Sequence, residues 1–161
     1  MLNNKKNKNG FTLLEGIVAI FLVTVGIGGA YTLISQTISS AIISSQKLIA
    51  SYLVQEGIEI VRNIRDTNWL EGNNWNDGLS SGDWEADYKT QNLTQSYTGN
   101  FLNIDSEGFY SYSSGSPTIF KRKISISPEG DDILKVIVVI EWQERGRTHQ
   151  IRAQENLYNW R

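Results

Sequence analysis

Residues 16–34 run without a single charged side chain, and no other stretch limits the fold so tightly. Nineteen residues at 1.5 Å rise make roughly 28 Å of helix, close to the hydrocarbon thickness of a bilayer. One carboxylate, Glu15, stands just inside the head of this segment. An unpaired carboxylate in hydrocarbon is costly, so its presence calls for a partner or a function. Ahead of it the leader 1–10 holds Lys5, Lys6 and Lys8, and no basic residue follows until Lys47. That asymmetry places the leader in the cytoplasm and everything after residue 35 outside.

The junction reads Gly10, then Phe11-Thr12-Leu13-Leu14-Glu15. A lysine-rich leader, this Gly-Phe-Thr-Leu-Leu-Glu run and the apolar stretch behind it together resemble the start of type IV prepilins and type II secretion pseudopilins. The resemblance implies cleavage after Gly10 by a membrane-embedded aspartyl prepilin peptidase and methylation of the new N-terminus at Phe11. It assigns Glu15 to assembly, its carboxylate reaching the α-amine of a neighbouring subunit. Pairing recovers much of what each charge alone costs in hydrocarbon. A competing role for Glu15 is to complement the helix macrodipole, a term well below the burial cost. The whole segment also admits a secretory signal peptide, cut at Gly28-Gly29-Ala30 to leave Tyr31 first. That alternative leaves Glu15 unexplained and gives the chain no anchor.

The helical pattern outlasts the bilayer. Leu53, Val54, Gly57, Ile60, Val61 and Ile64 recur at helical spacing, with Glu56, Glu59, Arg62 and Arg65 on the other side. The expectation is one helix over about 12–65, divided at 34/35. Its first part, 11–34, is apolar all round and needs lipid or copies of itself. Its second part, 35–65, carries one stripe for a folded domain to cover. Gly26, Gly28 and Gly29 interrupt the apolar part, each costing about 1 kcal/mol of helix propensity relative to alanine. Close packing of neighbouring helices explains them. So does the local melting that the resemblance implies when a subunit leaves the membrane for the filament.

The remainder, 66–161, is expected to be a globular β domain, giving an α+β, pilin-like fold. Asn73-Asn74, Asp77-Gly78 and Ser80-Ser81-Gly82 mark 66–100 as loop-rich. Short strands are predicted near 83–89, 101–104 and 109–113. A meander over 118–158 is better defined, with alternating strands at 118–127, 133–143 and 148–158. A first hairpin centred on Gly130 pairs Phe120 with Ile140, Ile124 with Val136 and Ile126 with Leu134. A second, turning at Arg145-Gly146, pairs Ile140 with Ile151, Val138 with Ala153 and Leu134 with Leu157. Both put one apolar face over the helix stripe at Leu53, Val54, Val61 and Ile64.

Chemistry is sparse. The chain has no cysteine and one histidine, His149, so thiolate sites, disulfides and multi-histidine metal centres are excluded. No phosphate loop, nucleophile elbow or EF-hand spacing occurs, and the Asp/Asn-rich loop 66–83 lacks the third oxygen ligand of a calcium site. The reading is therefore no enzyme, no cofactor and no metal. His149, opposite Trp142, reads as a strand-end residue. Trp69, Trp75 and Trp84 either plug a small core or form a glycan platform. Lys121-Arg122-Lys123 is split across two strand faces. With Arg145, Arg147, Arg152 and Arg161 it raises DNA contact, against a net charge of −5 outside the leader. A membrane-tethered or secreted glycan- or DNA-binding module is thus the alternative to a filament subunit.

The stretch from Gln55-Glu56-Gly57 through Arg62-Asn63-Ile64-Arg65-Asp66 and Trp69 is similar to minor-pilin-like prepilins. The paired C-terminal cysteines of many pilins are missing. The partners this resemblance implies are the prepilin peptidase, other pilin or pseudopilin subunits through the N-terminal helix, membrane lipid and a membrane platform protein. Pilus, secretion pseudopilus and DNA-uptake filament all stay open.

Overall fold

The computed structural model describes residues 10–160; Lys5, Lys6, Lys8 and Arg161 lie outside the described residues. A single helix, α1, spans Leu13–Glu71. It is followed by β1 (Gly82–Trp84), β2 (Phe101–Ile104), β3 (Tyr110–Ser111), β4 (Ser116–Pro128), β5 (Ile133–Glu144) and β6 (Arg147–Tyr158). The strands form one antiparallel sheet in the order β3-β2-β4-β5-β6, with β1 also paired to β4. Contacts divide the chain into two units, one ending at Ile43 and one beginning at Ser44.

Helix α1 runs six residues past the expected end at Arg65. Its stop is a Schellman motif built on Gly72, whose φ is 76°. Gly72 N donates to Trp69 O at 3.3 Å and Asn73 N to Asn68 O at 2.9 Å. Asn68 then holds the outgoing loop, its Nδ2 donating to Asp77 O at 2.8 Å and Trp75 O at 3.2 Å. The signal was Glu71-Gly72, a helix former followed by the residue that tolerates positive φ.

In the unit from Ser44 onward, the helix and the sheet close one core. Ala50, Leu53, Val54, Ile58, Val61 and Ile64 are buried on the helix side; Ile124, Val136, Val138, Ile140 and Trp142 are buried on the sheet side. Each Val, Leu or Ile side chain among them contributes about 1.5–3 kcal/mol of burial free energy. Gly57 lets the two layers touch: a Cβ there would lie 2.7 Å from Val138 Cγ1.

The β5–β6 register is the one expected, including Ile140↔Ile151, Val138↔Ala153, Leu134↔Leu157 and Trp142↔His149. Arg145 (φ 51°) and Gly146 (φ 76°) make the two-residue turn, both in the left-handed region that such a hairpin needs. The β4–β5 register corrects the prediction by two residues. Arg122 faces Ile140, Ile124 faces Val138, Ile126 faces Val136 and Pro128 faces Leu134. Glu129 N donates to Ile133 O at 2.8 Å, so the loop closes around Asp131 rather than Gly130. A slip of two keeps every side chain on its face, which is why the apolar pattern could not detect it.

The strand expected at 83–89 is also corrected: only Gly82–Trp84 pairs. Beyond Trp84 three consecutive residues are buried, among them the acidic Glu85 at 2 % and Asp87 at 8 % exposure, while Tyr88 is exposed. Their carboxylates hold loops instead of facing water. The strand expected at 109–113 shrinks to Tyr110–Ser111, and that at 101–104 is found as expected.

Candidate functional site: the N-terminal segment

Among the described residues, the N-terminal unit is helical from Leu13 to Ile43. Thr12 caps it: Glu15 N donates to Thr12 Oγ1 at 3.3 Å and Gly16 N to Thr12 O at 3.1 Å. Thr12 and Glu15 thus occupy the N-cap and N3 positions of a Thr-x-x-Glu capping sequence. Sequence reasoning overlooked that spacing, which was visible in Thr12-Leu13-Leu14-Glu15. Gly10 and Phe11 precede the cap, outside the helix and exposed. The Gly10–Phe11 bond is therefore accessible without unwinding a turn.

Glu15 is exposed one turn into the helix. Around and beyond it stand Leu13, Leu14, Ile17, Phe21, Ile27 and Leu33, each at least 60 % exposed. The threonine hydroxyls in this apolar stretch are satisfied internally. Thr24 Oγ1 donates to Ile20 O at 2.7 Å and Thr32 Oγ1 to Gly28 O at 3.0 Å. Such back-bonding is what hydrocarbon requires of a hydroxyl. Among the described residues, α1 is the helix long and apolar enough to cross a membrane. Gly26, Gly28 and Gly29 are helical, and a Cβ at any of them would meet nothing within 4 Å.

The other sequence candidates are dispersed. Trp75 is buried in the core at 8 % exposure. Trp84 packs partly buried beside it, its Nε1 donating to Ser80 O at 3.1 Å. Trp69 meets Trp160 edge-on at 4.5 Å between centroids, with the Arg65 guanidinium 4.6 Å from its ring centre. His149 stacks on Trp142 at 5.4 Å. Strand parity does split the basic run. Lys121 lies over Phe101 and Lys123 pairs with Asp83 at 3.6 Å, whereas Arg122 is fully buried.

Arg122 and Glu85 are the polar centres that sequence reasoning missed. Arg122 donates to Ala86 O through Nε (3.1 Å) and Nη2 (2.7 Å), and to Leu53 O through Nη1 (3.2 Å). The same Nη1 is 3.2 Å from the Glu56 carboxylate, so one cation ties helix, sheet and loop. Glu85 accepts from the backbone N–H groups of Thr98, Gly99 and Asn100, and from the side chains of Gln95 and Asn100. Burial pushes its pKa up, but these donors outweigh burial and hold it below the usual carboxylate value. Both residues tie elements of the globular unit together.

Residues 5–31 match the family model described as the prokaryotic N-terminal methylation motif. No curated protein and no solved structure matches the chain significantly. The matched span holds the capped Gly10–Phe11 junction, Glu15 and the exposed apolar helix, a combination that fits a membrane-anchored precursor. Residues 5–31 carry the signature of type IV prepilins and pseudopilins, which supports a type IV pilin-like precursor.

Proposed function

We propose that this chain is a minor pilin or pseudopilin, a structural subunit of a type IV pilus-like or type II secretion-like filament. Prepilin peptidase cuts after Gly10 and the new N-terminus, Phe11, is methylated. Before assembly the leader faces the cytoplasm and the β domain the outside; afterwards the subunit belongs to a cell-surface or periplasmic filament. A membrane platform protein and other pilin subunits meet it through the N-terminal helix.

The observation that supports this reading is the match over residues 5–31, together with the apolar side chains of α1 from Leu13 to Ile42, which are exposed among the described residues. Phe11 to Ile43 is then a surface for lipid first and for sister helices later. Glu15 supplies direction: its carboxylate pairs with the α-amine of a neighbour, so that a subunit entering at the wrong height leaves two charges unpaired in an apolar core.

Mass spectrometry of the mature N-terminus tests the processing. Methylated Phe11 is expected, and a mature chain beginning at Tyr31 would overturn the reading. Glu15→Ala tests the pairing: incorporation into filaments should fall at least tenfold while the globular unit unfolds as before. Unchanged incorporation would remove the charge-pairing step.

A further inference from the structure

The loop between Asp87 and Asn100 holds the sequence Asn92-Leu93-Thr94. Asparagine, then any residue but proline, then serine or threonine is the acceptor pattern for N-linked sugar. No other asparagine of this chain has a serine or threonine two places on, so the pattern singles out Asn92. Three residues alone decide little; their setting in the fold decides more.

The segment is held on both sides and open between. Thr90 Oγ1 donates to Asp87 Oδ1 at 3.2 Å, and Glu85 N donates to Gln95 O at 2.9 Å. Leu93 is buried in the core, whereas Asn92 and Thr94 on either side of it are exposed. Burial thus alternates as along an extended segment, which puts the amide and the hydroxyl on one outward side. Gly78 makes room for that amide: a Cβ there would lie 2.7 Å from Asn92 Oδ1. The next atoms in its reach are Cγ at 3.4 Å and Cβ at 3.6 Å, not the nitrogen Nδ2 that takes a sugar. Beside Asn92 a cleft of about 270 Å³ opens against α1, and Asn63, Thr67, Glu71 and Gln91 help to line it.

We propose that Asn92 is an N-glycosylation site, the acceptor for a sugar carried on a membrane-lipid pyrophosphate. The site rests on the filament-subunit reading, which presents the globular unit outside the membrane to a transferase and its lipid-linked donor. In the transfer, Asn92 Nδ2 forms a bond to the sugar's C1 as the C1–O bond to the pyrophosphate breaks. The pyrophosphate leaves with the electron pair of that bond, one amide proton passes to a base of the transferase, and nothing is oxidised or reduced. The Thr94 hydroxyl is the group that such an enzyme reads two places on. The cleft then gives the first sugar room, and its amide, hydroxyl and carboxylate groups are the donors and acceptors that sugar hydroxyls pair with.

Mass spectrometry of the full chain, purified from its own cells under denaturing conditions, tests the site. The tryptic peptide Thr90–Lys121 should carry whole sugar-residue masses on Asn92, while the exposed Asn74 and Asn76, which lack the hydroxyl two places on, stay bare. Asn92→Gln should abolish the modification and Thr94→Val should lower it at least tenfold, whereas Thr94→Ser should keep it. Both positions are exposed and Leu93 is left in place, so these variants keep the core intact. A bare Asn92 in the natural chain would overturn the site, and so would a modification that survives Thr94→Val undiminished. A sugar that comes away on denaturation would be a bound ligand and would overturn it too. The N-terminus is read in the same sample. A mature Phe11 with a bare Asn92 sinks this site alone, whereas Gly10 still joined to Phe11 counts against the subunit reading, whatever Asn92 carries.

Discussion

The two stretches of α1 use the same kinds of side chain in opposite ways. Between Leu13 and Ile43 the apolar residues stand open, Leu13 at 85 %, Phe21 at 64 % and Leu33 at 66 % exposure. Between Ala50 and Ile64 they are closed, Leu53 and Ile64 at 2 % and Val61 at 0 %. The glycines divide the same way. Val138 presses on Gly57, whereas a Cβ at Gly26, Gly28 or Gly29 would meet nothing within 4 Å among the described residues. The first stretch is thus designed against something outside the chain, and the second against the chain's own sheet. A surface so extensively apolar marks a site that lipid or another protein covers.

The sharpest way to test that division is to break the second stretch and leave the first untouched. Arg122→Ala strands the carbonyl of Ala86, takes a second donor from Leu53 O and leaves the Glu56 carboxylate without its cation. The expected loss is about 3–5 kcal/mol, the range for removing one partner of a buried pair. Denaturant unfolding of the globular unit measures it, with the helicity of 13–43 as the internal control. A loss below about 1 kcal/mol, the worth of one ordinary hydrogen bond, would mean that Arg122 is not the tie. Gly57→Ala comes next. Its methyl would sit 2.7 Å from Val138 Cγ1 and 3.2 Å from Arg122 Cδ, so overpacking of about 1–3 kcal/mol is expected. Adding Val138→Ala should recover part of that loss, because neighbours in contact do not add.

Much of this layout could be read from residue order alone. Strand parity in β5 and β6 and the Arg145-Gly146 turn specified their register, since a two-residue turn leaves no slack. The β4–β5 loop is longer, and a slip of two preserves parity, so only the Glu129–Ile133 hydrogen bond decides it. The N-terminal motif was legible because its residues act in sequence, one after another. Glu85 was not: its donors, Gln95 and 98–100, are remote along the chain and mostly backbone, so no side-chain pattern announces them. Arg122 was half legible. Parity put it on the apolar face with Phe120 and Ile124, but nothing local named Ala86 or Leu53 as its acceptors.

A smaller effect, dependent on pH, belongs to Glu85. Its folded pKa lies below its ordinary value of 4.5, so the unfolded chain takes up the proton first as pH falls. The stability that this carboxylate contributes is therefore complete above the ordinary value and is lost as pH drops through the depressed one. Glu85→Gln should cost about 1–3 kcal/mol at pH 7, the penalty for unmatched buried donors. It should also flatten the fall in melting temperature between pH 5 and 3, a range set by the ordinary carboxylate pKa. An unchanged slope would assign acid sensitivity to other carboxylates.

The smallest effect on stability is expected from Gly28→Ala, and it separates the two accounts of the apolar glycines. The added methyl meets nothing within 4 Å, so unfolding of the globular unit should stay where it was. Locally the helix gains about 1 kcal/mol of propensity, the usual glycine-to-alanine difference. Alanine is still small enough for close helix contact, whereas Gly28→Leu is not. If sister helices pack against this face, incorporation into filaments should survive alanine and fail with leucine. If the segment must unwind on leaving the membrane, alanine alone should slow incorporation, since it raises the cost of melting without adding bulk. A loss of global stability from either variant would contradict the division itself, because it would show that the bare stretch has a partner inside the chain.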